Sequence, residues 1–120
     1  MKTKVENTIP VLPVKNLIKS IEYYTKTLGF KEDWRGGAIG SVSYDGCSIM
    51  LSELTNSTDP GWVWIGVQDA TLFDAYMSKG VRVHQKRMNY EWAYEMKFED
   101  LDGNILWLGT ESRDDIPKDE

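Results

Sequence analysis

Residues 9–30 read Ile9-Pro-Val-Leu-Pro-Val-Lys-Asn-Leu-Ile-Lys-Ser-Ile-Glu-Tyr-Tyr-Thr-Lys-Thr-Leu-Gly-Phe30. The apolar run up to Val14 predicts a short buried strand, and its two prolines restrict that strand to an edge or an irregular position. Asn16 is a favourable N-cap, and apolar residues then recur at helical spacing. Gly29 suits the left-handed position at which many helices end. The stretch therefore predicts a strand followed by a helix.

An internal repeat organises the rest of the chain. Each half shows the order strand, helix and three further strands, because apolar runs are separated by turn residues in the same sequence. The predicted strands are 9–14, 30–35, 40–44, 48–53, 62–67, 81–85, 94–99 and 105–109. Ile9 and Trp62 are 53 residues apart, and Gly46 and Gly103 are 57 apart. This agreement predicts an α+β fold of two βαβββ modules, with Asp69 as the N-cap of the second helix.

The modules span about residues 7–53 and 62–111 of a single domain covering residues 1–120. A polar linker, 54–61, joins them, and the charged tail 112–120 is expected to be mobile. A module with a helix on one face of its sheet must cover the other face or use it to line a cavity. Two modules edge to edge would form a curved mixed sheet with the helices outside. A dimer, paired or with exchanged modules, would cover the open face.

Composition excludes several classes of function. Of the 120 residues, 14 are Lys or Arg and 19 are Asp or Glu, which gives a net charge of -5. A nucleic-acid partner is not expected, since phosphate binding needs a clustered basic surface. One cysteine, Cys47, leaves no disulfide framework and favours a reducing, cytoplasmic setting. No secretory signal and no apolar run long enough to span a membrane is visible.

The opening stretch and the closing stretch Phe98-Glu-Asp-Leu-Asp-Gly-Asn-Ile-Leu-Trp-Leu108 resemble the beginning and end of the glyoxalase/bleomycin-resistance/dioxygenase superfamily, which has the vicinal oxygen chelate fold. The resemblance covers about residues 7–111. Enzymes of that family hold a divalent metal with a His in each first strand and a Glu in each last strand, so the resemblance implies where the metal ligands of this chain would lie. Those positions fall on Ile9, Trp62 and Trp107, with Met50 in the last strand of the first half. None is a metal ligand, so we expect no metal and no other cofactor.

Aromatic residues replace the expected ligands. The chain has five Trp and six Tyr. Because side chains alternate along a strand, Trp62 and Trp64 face away from the helix, and the same parity places Trp107 on their face. A single Trp is often part of a core, but each of these strands has a separate aliphatic face for that purpose. We therefore predict that the three tryptophans contribute to a ligand site.

Five further residues are weaker candidates for ligand binding. Trp34 and Met50 belong to the first module, Trp92 and Tyr90 to the loop 88–93, and Glu95 to a strand of the second module. Aromatic planes beside carboxylates suit a planar or cationic ligand. The loop aromatics are equally compatible with an exposed dimer seam, and single carboxylates often serve solubility alone. His84, the sole histidine, is interpreted as a hydrogen-bonded or exposed strand residue.

Three functions remain open at this point. The resemblance to the metal-free bleomycin-resistance branch implies a homodimeric protein that sequesters an antibiotic-like molecule without changing it. The alternative is an enzyme of the same superfamily (a lyase, isomerase or dioxygenase) whose metal site is displaced or absent. A third interpretation makes the tryptophans protein–protein contacts. Fold alone does not decide among them.

Overall fold

A computed structural model describes residues 2–54, 56 and 59–120. Its elements are β1 (Val11–Val14), α1 (Leu17–Lys26), β2 (Lys31–Gly36), β3 (Ile39–Tyr44), β4 (Cys47–Glu53), β5 (Trp62–Gly66), α2 (Thr71–Ser78), β6 (Arg82–Asn89), β7 (Tyr94–Glu99) and β8 (Ile105–Thr110). Three residues of the predicted linker, 55, 57 and 58, lie outside the described residues. No helix in the described part is long and apolar enough to cross a membrane.

The strands form two mixed sheets of the same topology. The first has the order β1-β4-β3-β2 and the second the order β5-β8-β7-β6. In each sheet the first strand pairs in parallel with the last, and the remaining pairs are antiparallel. The α+β fold of two βαβββ modules is therefore confirmed.

Local sequence explains where the first helix begins and ends. The side chain of Asn16 accepts a 3.0 Å hydrogen bond from the backbone N–H of Lys19, as an N-cap should. Gly29 adopts a φ of 84°, a left-handed conformation that glycine reaches without steric cost. The N-cap prediction is confirmed, and Gly29 is left-handed as predicted, but it lies two residues after the C-cap Thr27 and not directly after it.

The second helix begins one residue later than predicted. Ala70 occupies the N-cap position without a side-chain cap, and Asp69 precedes it. Oδ1 of Asp69 accepts a 2.9 Å hydrogen bond from the N–H of Thr71. This bonding to Thr71 lowers the pKa of Asp69. The aspartate thus forms a local turn at the helix entrance and is not the cap itself.

Strand β6 is longer than the sequence predicts, because it continues through Met88 to Asn89. The register shifts between Val83 and Gln85 and again between Gln85 and Met88. These irregularities break the regular alternation by which a strand is recognised. The predicted loop 88–93 is therefore reduced to residues 90–93.

The tail differs from the expectation of a mobile segment, since Asn89 holds it against the second sheet. Nδ2 of Asn89 donates to the carbonyl oxygens of Arg113, Ile116 and Pro117 at 2.9–3.2 Å. The backbone N–H of Asn89 donates to Oδ2 of Asp119 at 2.7 Å. Only 1% of Asn89 is exposed. The tail therefore satisfies the buried amide of Asn89, and these contacts oppose the mobility that the sequence predicts.

The two modules share one hydrophobic core and a polar clamp. Tyr76 of α2 donates a 2.6 Å hydrogen bond to the carbonyl oxygen of Leu28 in the first module. Asn104 accepts from the N–H of Gly61 at 2.7 Å and donates to the carbonyl oxygen of Pro13 at 2.8 Å. These contacts fasten the helix-covered sides together and leave the opposite face of each sheet open.

Candidate functional site

The open face of the second sheet carries Trp62, Trp64 and Trp107, and we call it the tryptophan face. Val63 and Ile65 of β5 pack against the core, as do Leu106 and Leu108 of β8. The intervening tryptophans must then point the other way. The parity predicted from the sequence is confirmed for both strands.

The three indole rings contact one another edge to face. The ring centroids of Trp64 and Trp107 are 5.4 Å apart, and those of Trp62 and Trp107 are 6.1 Å apart. Trp107 is half-buried between its neighbours, whereas 55% of Trp62 and 51% of Trp64 are exposed. Exposed aromatic surface of this kind offers flat apolar area for stacking.

Trp64 lies flat on the sheet because two glycines make room for it. A Cβ at Gly109 would meet three atoms of the Trp64 ring, the farthest of them at 2.8 Å. A Cβ at Gly66 would lie 3.4 Å from Nε1 of the same ring. Gly66 and Gly109 are paired across β5 and β8. Glycines at these positions therefore determine where the Trp64 ring rests.

Lys97 places a positive charge at the centre of the tryptophan face. It is the register partner of Trp107, and its Nζ lies 4.5 Å from the centre of that indole ring. The same Nζ is 2.8 Å from Oε1 of Gln85 and 4.0 Å from Oε1 of Glu95. The ammonium group thus occupies one π face of Trp107. Trp62 and Trp64 are more exposed to solvent than Trp107.

Glu95 is a buried carboxylate on this face, with only 2% of the residue exposed. Its Oε2, Nε2 of Gln85 and Nε1 of Trp107 are buried without a hydrogen-bond partner among the described residues. The sequence places Glu95 on the face of Lys97, and the structure confirms that position through the register partner Gly109. Ligand binding by Glu95 remains a prediction.

Charged and polar groups surround the outer end of the tryptophan face. Nδ1 of His84 lies 3.2 Å from Oε2 of Glu99, whose other oxygen is 3.3 Å from Arg82. The His84 ring is 5.9 Å from that of Trp62. The interpretation of His84 as a hydrogen-bonded strand residue is confirmed, and the bulge in β6 brings it beside the tryptophans.

Trp34 and Met50 lie on the other sheet. Ser41 of β3 is the register partner of both, and Met50 is also paired with Val11 of β1. The row Val11, Met50, Ser41 and Trp34 therefore runs across the open face of the first sheet. Ser43 on the same strand donates a 2.8 Å hydrogen bond to Asp33. This row belongs to the first sheet, whereas the tryptophan face belongs to the second.

The loop aromatics form a pair of their own. The rings of Tyr90 and Trp92 stack with centroids 4.6 Å apart and planes 9° apart. Ser112 of the tail donates to the carbonyl oxygen of Tyr90 at 2.5 Å, and 71% of Trp92 is exposed. The tail thus supports a loop that presents an aromatic platform.

A groove of about 890 Å³ opens between the two modules. Its walls include Pro10 and Ile49 from the first module and Val63, Trp64 and Leu72 from the second. Of the eight predicted site residues, Trp64 is the one that lines it among the described residues.

The donor set does not fit a divalent metal at the positions that the family resemblance implies. Trp62 and Trp107 face each other there with unreactive indole rings, and Ile9 and Met50 offer no nitrogen or oxygen side-chain ligand. Among the described residues, no group of three or more His, Cys, Asp or Glu side chains could hold a metal ion.

A protein-family model with the description Glyoxalase/Bleomycin resistance protein/Dioxygenase superfamily matches residues 8–108. The chain belongs to this superfamily. The match covers both modules, with seven strands in full and β8 as far as residue 108. No curated protein matches the sequence.

Solved structures of the superfamily resemble this fold. The bleomycin-binding protein from bleomycin-producing Streptomyces verticillus, complexed with copper(II)-bleomycin, has a TM-score of 0.78 at 18% identity, covering 93% of this chain and all of that one. A bleomycin resistance determinant encoded on the transposon Tn5 has a TM-score of 0.80 at 16% identity, covering 91% of this chain and 100% of that one. At these identities the likeness shows the fold alone.

An integron cassette protein from the mobile metagenome of the Halifax Harbour sewage outfall is more similar in sequence. It has a TM-score of 0.77 at 28% identity, and the alignment covers 88% of this chain and 99% of that one. The superfamily fold is thus found in proteins of closely similar length.

Sequence reasoning missed two residues of the tryptophan face in this superfamily member. Lys97 could have been found by pairing the predicted strands β7 and β8, because that register places it opposite Trp107. Gln85 could not have been found in this way, since its contact with Lys97 depends on the irregular register of β6. Alternation in a single strand carries no information about such a shift.

Proposed function

We propose that this protein is a cytoplasmic small-molecule binding protein of the bleomycin-resistance type, which sequesters an antibiotic-like ligand on the tryptophan face. The ligand has a planar or cationic part, no protein-bound metal takes part, and the ligand leaves unchanged. The observation that carries the proposal is the convergence of Trp62, Trp64 and Trp107 on a sheet face that the core does not use.

The energetics of stacking suit such a role. Each aromatic or cation–π contact contributes on the order of 0.5–2 kcal/mol, depending on desolvation. Nζ of Lys97 lies closer to the ring of Trp107, at 4.5 Å, than to that of Trp62, at 6.0 Å, so Trp62 and Trp64 are the rings on which a ligand would stack. Two such contacts and the apolar burial that accompanies them together contribute to the free energy of binding, against the cost of association. A bleomycin-binding protein and a bleomycin resistance determinant of the same fold support the ligand class.

A homodimer would close the site. The chain is flat, with extents of 48 × 46 × 25 Å and a radius of gyration of 15.5 Å, whereas a compact chain of this length has about 14 Å. Exposed apolar side chains lie on both open faces, including Val11 and Trp34 on the first and Trp62 on the second. Placing the first module of one chain over the second module of its partner would bring Trp34 and Met50 to the tryptophan face. Native mass spectrometry of the purified protein tests the dimer directly.

The ligand test uses bleomycin and copper(II)-bleomycin as probes in isothermal titration. We expect saturable binding with one site per chain, and a loss of at least tenfold in affinity for Trp62→Ala. Ile18→Ala is the matched control, because Ile18 is an equally exposed apolar residue on α1. The circular dichroism spectra of both variants should equal that of the wild type.

Mass spectrometry of the probe after incubation separates sequestration from catalysis. An unchanged probe supports the proposal, whereas substoichiometric protein that converts the probe would assign the chain to the enzymes of the superfamily. Equal binding by Trp62→Ala and the wild type would remove the tryptophan face from the site.

A further inference from the structure

The tryptophan face contains three buried polar atoms that lack a hydrogen-bond partner among residues 2–54, 56 and 59–120. They are Nε1 of Trp107, Nε2 of Gln85 and Oε2 of Glu95. A buried polar group without a partner costs free energy, and native proteins contain few of them. Three on one small surface therefore point to a group that binds there and is polar.

The three residues lie around a single ammonium group. Lys97 pairs in register with Trp107 on one side and with Gln85 on the other, and Glu95 is two residues away on the same strand. The backbones of Gln85 and Trp107 are about 10 Å apart across β7, but both side chains approach Lys97, whose Nζ lies 2.8 Å from Oε1 of Gln85 and 4.5 Å from the centre of the Trp107 ring. The same Nζ lies 4.0 Å from Oε1 of Glu95, so it contacts one side-chain oxygen of Gln85 and one of Glu95. The second polar atom of each side chain, Nε2 of Gln85 and Oε2 of Glu95, is the unpaired one.

The chemistry of these atoms specifies a complementary group. Trp107 and Gln85 offer two N–H donors, and Glu95 offers one acceptor. A primary carboxamide has the matching set, since its carbonyl oxygen accepts two hydrogen bonds and its NH₂ donates to a carboxylate. The charges of Glu95 and Lys97 offset each other, so a neutral group adds no unpaired charge to a buried site.

We propose that Glu95, Gln85 and Trp107 form a subsite for a neutral carboxamide carried by the planar part of the ligand. The proposal rests on the proposed function, because it narrows the ligand class of the same face. It replaces the wider description of a planar or cationic group with a planar group bearing an amide.

Trp64 controls access to this subsite. Its ring lies over Gly109, which is the register partner of Glu95, and its centroid is 5.4 Å from that of Trp107. Half of Trp64 is exposed, and glycine beneath it leaves no side chain to hold the ring. Rotation of Trp64 away from Gly109 uncovers the edge of Glu95 and lets the ligand ring take the place of the indole.

The test compares three matched planar probes: 2-naphthamide, 2-naphthoate and 2-naphthamidine. Affinities are measured by titration of the protein, followed through the indole Nε1–H signals in ¹H–¹⁵N spectra, with Trp107→Phe used to assign one signal. We expect 2-naphthamide to bind at least tenfold more tightly than the anion and the cation. The indole N–H signal of Trp107 should move downfield with the amide, as a new hydrogen bond requires.

Glu95→Gln provides the decisive comparison, because an uncharged amide can donate to a carboxylate. The ratio of naphthamide to naphthoate affinity should fall from tenfold or more to about one in this variant. Glu91→Gln removes the same charge from an exposed loop residue and should keep the wild-type ratio. A ratio of affinities within one variant is insensitive to partial loss of folded protein.

The outcomes separate the two proposals. If all three probes bind equally well to the wild type, or if Glu95→Gln keeps the amide preference, the carboxamide subsite is wrong and the binding function stands. If none of the probes and neither bleomycin form shifts any indole signal, the binding function fails and the subsite fails with it.

Discussion

The hydroxyl of Tyr24 donates a 2.7 Å hydrogen bond to Oδ2 of Asp100, and this buried contact joins the helix of the first module to the end of β7 in the second. Asp100 accepts three further hydrogen bonds, from the side chain and backbone of Asn104 and from the N–H of Asp102. Asp102 in turn accepts from the N–H of Lys15 at 2.9 Å. The closing motif is therefore a clamp between modules as well as a hairpin turn.

Tyr24→Phe should destabilise the protein by about 2 kcal/mol, because it removes a buried hydrogen bond to a carboxylate and leaves the packing of the ring unchanged. Urea unfolding followed by fluorescence measures the difference. Tyr23→Phe is the matched control, since no hydrogen bond from the Tyr23 hydroxyl is present among the described residues. A Tyr24→Phe variant as stable as this control would show that the contact contributes nothing.

The same clamp predicts a pH dependence. Burial raises the pKa of Asp100 above its ordinary value, although the hydrogen bonds from Asn104 and Tyr24 oppose the shift. The folded state therefore holds this proton more tightly than the unfolded state, whose pKa is about 3.9. The contribution of Asp100 to the free energy of unfolding is complete below that pH, declines as the pH rises through the raised pKa, and is constant at neutral pH.

A carboxyl ¹³C titration measures this pKa in the folded protein. In Tyr24→Phe the value should rise further, because a donor that favours the charged form has been removed. A midpoint for Asp100 at or below the usual range, or a decrease in the variant, would contradict the assignment of burial as the main cause.

Much of this architecture could be predicted from sequence, because it depends on local signals. Asn16 and Gly29 mark the ends of α1, and alternation along β5 and β8 places the three tryptophans on one face. The clamp at Asp100 could not be predicted, since a DGN turn is sufficient to explain those residues locally. The burial of Glu95 could not be predicted either, because it depends on the register of three strands and on the position of the Trp64 ring.

The contacts of the tail show the same limit. Its composition is charged, which favours mobility, whereas the buried amide of Asn89 in β6 makes hydrogen bonds that oppose it. Asn89→Ala should therefore release residues 112–120 and expose them to protease, because three carbonyl oxygens and an N–H of the tail lose their partner. Limited proteolysis with mass spectrometry measures the cleavage rate, which should rise at least tenfold. Asn7→Ala, at an exposed position, should leave it unchanged.

The position of the Trp64 ring over Gly109 predicts the effect of a larger residue at position 109. Gly109→Ala should force the ring off the sheet, because the added Cβ would overlap three ring atoms. We expect a loss of about 1–3 kcal/mol in the free energy of unfolding, the usual cost of overpacking. The tryptophan emission should also move to longer wavelength as the ring enters solvent. Gly36→Ala is the matched control, since Gly36 is also in a strand and a Cβ there meets nothing within 4 Å.

Ligand binding by Gly109→Ala then tests whether the Trp64 ring covers the carboxamide subsite or serves only as a surface on which the ligand stacks. If Trp64 covers the carboxamide subsite, Gly109→Ala uncovers Glu95 and should change the affinity for 2-naphthamide by a different factor from that for 2-naphthoate. If Trp64 serves solely as a stacking surface, both affinities fall by the same factor, because stacking does not depend on the polar group. An unchanged emission spectrum in Gly109→Ala would mean that the ring does not rest on Gly109, and both interpretations of Trp64 would then be wrong.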